Sequence, residues 1–313
     1  MRNYTVEKPA HGSQEWLYVR WANEEGLPRI SASAAAAVHN EHTFTTATDL
    51  AIELLASDPP EPKDPNSAMV RGQKLEPVII KWTAEMEGLS LAEPTQMYAY
   101  EEDGVRLIAT LDAMDEHGNV FEIKTISRRW TGELPRYWYW QGVQQAICAD
   151  VPAIEWAIFD SDMVIHRHTQ VVTSDEKRIH IEACRKFLSA IDNGEMPENC
   201  HYEYRHATDQ FPESQPTTVT LSDEAHASLG MLRLVQEEMK KLEAEEANLK
   251  GIICKELGEN EYGEYMGDVV CTWKSASRRA FDTKKFEQDH PALASKYKKE
   301  TTYRTFKLNK GGK

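Results

Sequence analysis

The sequence is poor in cysteine, and its cysteines follow no recognisable motif. Five cysteines are spread over 313 residues, and no two of them form a Cys-x-x-Cys pair. This spacing argues against a disulfide framework, a zinc site and an iron–sulfur cluster, and it favours a reducing compartment such as the cytoplasm. The histidines add no metal-ligand spacing, since His166 and His168 would share one face of a strand, as histidines do on many exposed strands.

The sequence also lacks long apolar runs. No stretch approaches the length that a membrane-spanning helix needs. Residues 1–16, MRNYTVEKPAHGSQEW, contain no apolar segment of the kind found in a signal peptide. We therefore expect a cytoplasmic protein without a membrane partner.

Positive charge is scarce over most of the chain. The sequence has 51 acidic and 36 basic residues, a formal net charge of −15. This excess argues against nucleic-acid binding over the whole surface, because such binding depends on Lys and Arg at phosphates. The charge is uneven, however: residues 274–313 hold twelve basic and four acidic residues, a balance of +8, which leaves −23 on residues 1–273. A basic end on an acidic body indicates either a solvated tail or a binding segment.

The pattern of apolar residues predicts one large mixed domain, or such a domain with an appendage. Periodicity and capping residues predict an alanine-rich helix capped by Ser31 or Ser33 and further helices at 13–21, 46–56, 68–88, 135–150 and 174–194. Short apolar runs between turn residues predict strands at 97–101, 105–111, 119–126, 153–163 and 164–172. This order of elements is typical of an α/β or α+β fold.

Periodicity is lost near residues 200–220, where Pro, Ser and Thr accumulate. We predict a boundary there, with one domain over 1–210 and another over 218–313. The second domain would begin with a long amphipathic helix at 222–257, whose apolar stripe is typical of packing, and continue with a hairpin and the basic tail. This extension is a candidate for DNA binding, assembly or partner docking.

Three ionisable groups stand in neighbouring predicted strands, where charge is costly. In VRLIATLDAMDEHGNVFEIKT, residues 105–125, Asp112 ends one strand, and Glu122 and Lys124 lie on one face of the next. Two carboxylates at adjacent strands can bind Mg²⁺, with the Ile123 carbonyl as a further ligand. A lysine beside the metal can hold or deprotonate a water, or stabilise charge on a phosphorane. The pattern is compatible with metal-dependent phosphodiester hydrolysis, but such a short pattern more often marks a surface salt bridge.

Two predicted helices add further polar groups. In RGQKLEP, Glu76 is either a third carboxylate over the metal pair or an ordinary exposed helix glutamate. In YWYWQGVQQAI, the side chains of Gln141, Gln144 and Tyr139 can hold a water or a phosphate. The alternative for this helix is an amphipathic core element, which is the interpretation that its tryptophans favour.

Five short motifs occur in an order that resembles a known family. They are SQEWLYVR…RISAS, RGQKLEP, IATLDA, FEIKT and YWQGVQQ. Each is weak alone, but the ordered set resembles the phage lambda exonuclease and YqaJ-type viral recombinase family of the PD-(D/E)-x-K nuclease superfamily, over roughly residues 13–190. The resemblance implies a restriction-endonuclease-like core, with a central mixed sheet flanked by helices, followed here by a C-terminal helical and basic extension.

The resemblance implies a role for each matched residue of the metal site. Asp112 and Glu122 would bind Mg²⁺, for which Mn²⁺ would substitute, together with the carbonyl of Ile123. Lys124 would position or activate the attacking water. Glu76 matches the helical glutamate that completes the site.

The resemblance extends to groups around the metal site. Gln144 matches the glutamine of the following helix, a position for which Gln141 competes, and Tyr139 is a further candidate. Arg20 matches an arginine that grips a 5′-phosphate, and Ser33 matches a serine near that phosphate. The chemistry agrees, because a guanidinium can bind a terminal phosphate through two hydrogen bonds.

The resemblance further implies an activity and partners. The protein would be a Mg²⁺-dependent exonuclease that degrades one strand of linear double-stranded DNA from its 5′ end. The remaining 3′ overhang would pass to a single-strand annealing protein. The enzyme would form a homo-oligomer, such as a ring-shaped trimer, and would be phage or prophage encoded and act in the cytoplasm of a bacterial host.

Two departures and two alternatives accompany this interpretation. Leu111 stands where the family motif has a proline, and residues 21–29 lengthen the segment beside the phosphate pocket. A restriction or repair endonuclease with the same metal site is one alternative, against which the end-recognising pair Arg20 and Ser33 argues. A non-catalytic DNA-binding scaffold is the other, and the intact acid–acid–lysine set argues against it.

Overall fold

The computed structural model describes residues 3–62, 64–299 and 302–309. Contacts divide the chain into two units, Met1–His206 and Ala207–Lys313. Parts of the predicted basic tail, residues 300, 301 and 310–313, lie outside the described residues. The assignment of catalysis to residues 1–210 and of binding or assembly to 218–313 stays a prediction.

Capping residues set the starts of several helices in the first unit. The Ser13 hydroxyl accepts the backbone N–H of Trp16, and Thr46 forms a reciprocal capping box with Asp49. The predicted alanine-rich helix is present as a 3₁₀ helix. The helices are α1 Gln14–Trp21, the 3₁₀ helix Ala32–His39, α2 Ala47–Leu55, α3 Ser67–Glu87, α4 Arg136–Cys148, α5 Ser174–Asp192 and α6 Tyr204–Gln210.

The strands include the predicted ones and four that the sequence did not indicate. The strands β1, β2, β3 and β6 were missed because β2 and β3 have two residues each, β6 has three, and β1 carries no strong apolar alternation. The strands are β1 Asn3–Glu7, β2 Ile30–Ser31, β3 Leu91–Ala92, β4 Gln96–Glu102, β5 Val105–Ala109, β6 Ala113–Asp115, β7 Val120–Thr125, β8 Ala153–Phe159 and β9 Ile165–Val171.

These strands form two mixed sheets. The order of one sheet is β1-β4-β5-β2, in which β2 and β5 are parallel and the other pairs are antiparallel. The order of the other is β3-β6-β7-β8-β9, in which only β7 and β8 run parallel among the pairs that the structure describes. Helices flank the sheets, so the predicted α/β (α+β) class with a mixed sheet, and the C-terminal helical extension, are confirmed.

The chain changes sheets at residues 110–112. The sequence predicted one strand over 105–111, but β5 ends at Ala109 and β6 begins at Ala113. The interruption arises because β5 pairs with β4, whereas β6 pairs with β7 of the other sheet. Asp112 therefore lies at the crossing between the two sheets.

Helix α4 lies in the main core. Trp138 stacks on Trp156 of β8 with ring centroids 5.9 Å apart, and Val143 is fully buried. Gly142 permits a close approach to the sheet, since a Cβ there would lie 2.9 Å from the Trp156 ring and 2.2 Å from the Gln170 side chain. The close contact brings the polar residues of α4 within reach of β7.

A buried polar network crosses the same core. His39 Nε2 lies 2.9 Å from His180 Nδ1, and His180 Nε2 lies 3.0 Å from Gln144 Oε1. The His39 ring stacks on Trp140 at 3.6 Å between centroids. Burial lowers the pKa of His39 to about 4 and that of His180 to about 3. Both rings are therefore neutral at pH 7.

We predict that the first unit loses stability as the pH falls below about 6.5. In the unfolded chain, His39 and His180 take up a proton below this pH, whereas in the folded protein both rings stay neutral down to their lowered pKa values. Each of the two histidines therefore lowers the free energy of unfolding by up to about 1.4 kcal/mol per pH unit. His180→Gln should flatten this dependence in unfolding measurements between neutral and mildly acidic pH. His117→Gln is the control, since that side chain is 72% exposed. Equal slopes in the two variants would contradict the assignment.

The second unit contains the predicted long helix and hairpin. Helix α7, Asp223–Leu257, starts at Ser222, whose hydroxyl accepts the N–H of Ala225. Apolar residues of its stripe, such as Leu234 and Leu242, are exposed. The other elements are β10 Tyr262–Tyr265, β11 Asp268–Thr272, α8 Thr283–Asp289 and α9 Pro291–Tyr297. Among the residues described in either unit, no helix combines the length and apolarity needed to cross a membrane.

Candidate active site

Strand β7 carries the centre of the candidate site. Glu122 and Lys124 are two residues apart and so project from the same face of the strand. The Glu122 side chain is 2% exposed and that of Lys124 is 21% exposed. Lys124 Nζ donates to Glu122 Oε1 at 2.6 Å. This pair is therefore a sequestered ion pair, and the surface salt bridge considered as an alternative is wrong.

Asp112 meets the same strand from the crossing between the sheets. Its Oδ2 accepts the backbone N–H of Ile123 at 2.8 Å. The paired residues of β6 and β7 end at Phe121, so the next part of this edge is open to Asp112. The N–H and C=O of a strand residue point to the same edge, so the Ile123 carbonyl also faces this opening. The structure thus brings Asp112 to the backbone of Ile123, and the use of the Ile123 carbonyl as a metal ligand stays a prediction.

The carboxylates at this edge repel one another. Burial, and then the charge of Glu122, raises the pKa of Asp112 well above its usual range, while Lys124 opposes the rise and Glu76 adds to it. Burial and the charge of Glu122 likewise raise the pKa of half-buried Glu76 on α3. Asp112, Glu122 and Glu76 thus influence one another, and the charge of Lys124 acts on both Asp112 and Glu76. A bound cation would relieve this repulsion.

Lys124 keeps its proton in this environment. Burial lowers its pKa, but the charges of Glu122 and Asp112 and the hydrogen bond to Glu122 outweigh burial and raise the pKa overall. An ammonium group has three donors and no acceptor. Lys124 can therefore hold an oxygen or stabilise negative charge, but in this state it cannot accept a proton from water.

Helix α4 supplies two glutamines to Glu122. Gln141 Nε2 donates to Glu122 Oε1, and Gln145 Nε2 donates to Glu122 Oε2, both at 2.5 Å. Gln141 was among the predicted site residues, whereas Gln145 was not. A signal was present, because residues four apart share one face of a helix.

The prediction that Gln144 faces the site is wrong. Its Nε2 donates to the carbonyls of Ile30 and Ile108, at 2.7 and 3.1 Å, and so ties β2 to β5. Gln144 is one position before Gln145, and successive residues of a helix do not share a face. Tyr139 also points elsewhere, since its hydroxyl hydrogen-bonds the carboxylate of Glu176.

Arg20 and Ser33 come together, as predicted, although they lie 13 residues apart. Arg20 Nη2 donates to the hydroxyls of Ser33, at 2.5 Å, and Ser31, at 3.1 Å. The guanidinium lies over the Trp16 ring, 4.2 Å from its centroid, and burial lowers the pKa of Arg20 to about 10. Ser31 was not among the predicted phosphate contacts. Because β2 and β5 are parallel, Ser31 lies at the same end of the sheet as the chain leading to Asp112.

The residues at this edge suit a hard divalent cation by their chemistry. Within the described ranges, no three His, Cys, Asp or Glu side chains already converge as a metal site. Glu122 turns both oxygens to Lys124 and the two glutamines instead. Carboxylate and carbonyl oxygens are nonetheless the ligands that Mg²⁺ takes in proteins, with one or two carboxylates and retained waters. Asp112, Glu122, Glu76 and the Ile123 carbonyl offer this set.

The comparisons with known proteins cover the region that contains the site. Residues 15–152 match the model of the YqaJ-like viral recombinase domain. An uncharacterized protein YqaJ of Bacillus subtilis (strain 168) is 33% identical over 73 residues, which are 23% of this chain and 23% of that protein. The chain thus matches less than a quarter of the length of this curated relative.

Solved structures with a similar chain path include two exonucleases. An alkaline exonuclease (LHK-Exo) from Laribacter hongkongensis is 17% identical, with a TM-score of 0.46 over 58% of this chain and 93% of that chain. A phage related exonuclease from Haemophilus somnus 129PT is 13% identical, with a TM-score of 0.39 over 53% of this chain and 95% of that chain.

The fold and the site define a class of mixed α/β proteins with an acid–acid–lysine set at an open sheet edge. Within that class, residues 15–152 match the YqaJ-like viral recombinase domain. The resemblance to YqaJ-type recombinases that the ordered motifs indicated is therefore confirmed over this stretch.

Proposed function

We propose that the first unit, together with the rest of the predicted domain 1–210, is a Mg²⁺-dependent 5′-to-3′ exonuclease that acts on linear double-stranded DNA. The observation that carries the proposal is the set Asp112, Glu122 and Lys124 at the open edge of β7, with Glu76 interacting electrostatically. The family match and the exonuclease names of the structural neighbours agree with this activity.

The roles follow from the contacts. Asp112, Glu122, Glu76 and the Ile123 carbonyl would hold Mg²⁺, with Mn²⁺ as a substitute. The bound metal would lower the pKa of a coordinated water and neutralise charge on the phosphate. Protonated Lys124 would orient that water or stabilise the developing negative charge.

The glutamines of α4 would keep Glu122 in place before the metal binds. Gln141 and Gln145 each donate to one oxygen of Glu122, so that its carboxylate is held in one orientation. Gln144, in contrast, would act only through the fold, because it joins β2 to β5.

Arg20, Ser31 and Ser33 would bind the 5′-phosphate of the DNA end. A guanidinium and two hydroxyls provide charge-assisted donors to phosphate oxygens. Ser33 also lies in the first turn of the 3₁₀ helix Ala32–His39, where free backbone N–H groups add donors. Recognition of an end favours an exonuclease over an endonuclease, which needs no end.

We predict that Arg20→Gln removes the preference for phosphorylated ends. Loss of a charged hydrogen-bonding partner should lower kcat/KM on 5′-phosphorylated DNA about 10- to 100-fold, with little change on 5′-hydroxyl DNA. The control is Arg178→Gln, since Arg178 is an exposed arginine of α5. An equal loss on both kinds of end would contradict the assignment.

The proposal includes partners and a cellular setting. The 3′ overhang would be used by a single-strand annealing protein in phage-type recombination, in the cytoplasm of a bacterial host. The protein would act as a homo-oligomer, for which a ring-shaped trimer is our working arrangement. The region 218–313 would serve in DNA binding, assembly or docking of the annealing protein.

Digestion of paired substrates tests the proposed function against its alternatives. Linear duplex DNA, labelled at either end of one strand, and a covalently closed circle are each incubated with the protein and Mg²⁺. We expect loss of the linear DNA alone, with the 5′ label released first. Cleavage of the circle would identify an endonuclease, and binding without cleavage would identify a scaffold.

A further inference from the structure

A polar cavity begins where β7 ends. Its volume is about 260 Å³, and arginines and aromatic side chains line it together. We call it the arginine pocket. The side chains that define it are Arg71, Arg128, Arg129, Trp130, Tyr137 and Trp138.

The arginine pocket adjoins the proposed active site. Thr125, which lines the pocket, directly follows Lys124 in the chain. Lys124 Nζ lies 5.9 Å from the ring centroid of Trp138, another lining residue. Tyr137, also in the lining, lies close enough to Lys124 to contribute to the raised pKa of the lysine. A DNA strand that passes through the proposed active site would therefore reach the arginine pocket next.

The loop that carries two of the arginines is held in place. Ile126 N–H donates to the carbonyl of Phe159 at 2.9 Å, and the carbonyl of Arg128 accepts the N–H of Ser161 at 3.2 Å. Trp130 donates its backbone N–H to Asp160 Oδ2 at 3.2 Å. These bonds fix the loop to the end of β8, so the pocket is preorganised and its ligand would not have to order it.

The positive charge of the pocket is not neutralised by acidic side chains in its lining. Of its three arginines, Arg129 pairs with Asp162 at 2.7 Å. Over the stretches of chain that the structure describes, neither Arg71 nor Arg128 forms an ion pair with a carboxylate, and the lining contains no acidic residue. In a chain with a net charge of −15, two unpaired arginines that face one cavity indicate an anionic ligand.

We infer that the arginine pocket binds a backbone phosphodiester of the DNA strand, next to the bond that is cut. The inference rests on the proposed function. Arg71, from α3, and Arg128, from the loop after β7, present planar donors that suit phosphate oxygens. The aromatic rings, Trp130 among them, offer faces on which a base can stack. The pocket thereby positions the strand, separately from the end contacts of Arg20 and Ser33.

Binding of short duplex DNA at several salt concentrations tests this inference. The double variant Arg71→Gln/Arg128→Gln is compared with Arg178→Gln/Arg185→Gln, which removes the same charge from α5. Fluorescence anisotropy is recorded in Ca²⁺, so that binding is measured without relying on turnover. We expect the pocket variant to raise Kd about tenfold and to reduce the salt slope by about 1 to 2, since each lost phosphate contact removes about 0.9.

Conservative and competing probes sharpen the result. Arg71→Lys/Arg128→Lys should recover most of the salt slope, because lysine restores the positive charge. It should recover less of the affinity, because lysine cannot donate two parallel hydrogen bonds to one phosphate. Inorganic phosphate and a 5′-mononucleotide are added as competitors. If the pocket variant changes only inhibition by the mononucleotide, the pocket holds the product, and the inference is overturned.

The failure of this inference is distinguishable from the failure of the proposed function. If the wild-type protein cuts DNA and the pocket variant binds DNA like its control, only the arginine pocket is excluded. If the wild-type protein neither binds nor cuts DNA, the proposed function itself fails, and this inference fails with it.

Discussion

Glu122→Gln will abolish DNA hydrolysis and leave the fold intact. The substitution removes a negative charge from the candidate metal site while keeping the size of the side chain. A bound metal contributes several kcal/mol to transition-state stabilisation, so its loss should lower the rate at least about a thousandfold. Initial rates on linear duplex DNA with saturating Mg²⁺ measure this effect.

The same substitution should lower stability without unfolding the protein. Glu122 is 2% exposed, and its charge is among the causes that raise the pKa of Asp112 and Glu76. A neutral amide removes that repulsion, but it gives up the ion pair with Lys124, and its NH2 group cannot accept a hydrogen bond from Lys124 or from a glutamine of α4. We expect a lower unfolding temperature with an unchanged circular dichroism spectrum.

The control is Glu155→Gln on the neighbouring strand. Glu155 pairs with Arg167 at 2.6 Å and faces Phe121 in the register of β7 and β8. It is a partly buried charge of the same kind, outside the candidate site. Full activity in Glu122→Gln, or an equal loss in Glu155→Gln, would contradict the assignment of the site.

Gln144→Met and Gln145→Met will separate a structural glutamine from a functional one. Gln144→Met leaves two strand carbonyls and the His180 nitrogen without their partner inside the core. Buried groups that lose a hydrogen bond cost about 1–3 kcal/mol each, so the loss of three should lower the free energy of unfolding by about 3 kcal/mol or more. Denaturant unfolding measures this loss.

Gln145→Met should instead lower activity with little loss of stability. The Oε1 atom of Gln145 has no hydrogen-bond partner among the described residues, so the apolar side chain removes an unsatisfied acceptor together with one donor. Glu122 loses the partner of its Oε2, and we expect the rate to fall about tenfold or more. Equal stability losses in the two variants, or a larger rate loss in Gln144→Met, would contradict this division.

The sequence correctly predicted the relative placement of site residues that lie on a single strand. Glu122 and Lys124 share a face of β7 because of the two-residue period of a strand. Arg20 was placed with Ser33 through the resemblance, and the structure joins the two side chains by a hydrogen bond. Asp112 was predicted at a strand end but lies at the crossing between the sheets, from where it accepts the backbone N–H of Ile123.

The parts that were wrong or missed depend on how one element sits on another. The choice of Gln144 failed because a helix pattern does not show which face meets which sheet, and Gly142 sets that contact through its missing side chain. Ser31 was missed because β2 is too short to predict, and the arginine pocket because Arg71 and Arg128 are 57 positions apart.

Hydrolysis of linear duplex DNA by wild-type protein and Glu122→Gln, each with Mg²⁺ or with EDTA, tests the assigned site most directly. We expect that only the wild-type protein with Mg²⁺ degrades the DNA, while both proteins have the same circular dichroism spectrum. Degradation by the wild-type protein in EDTA, or by Glu122→Gln in Mg²⁺, would contradict a metal-dependent nuclease site at Asp112, Glu122 and Lys124.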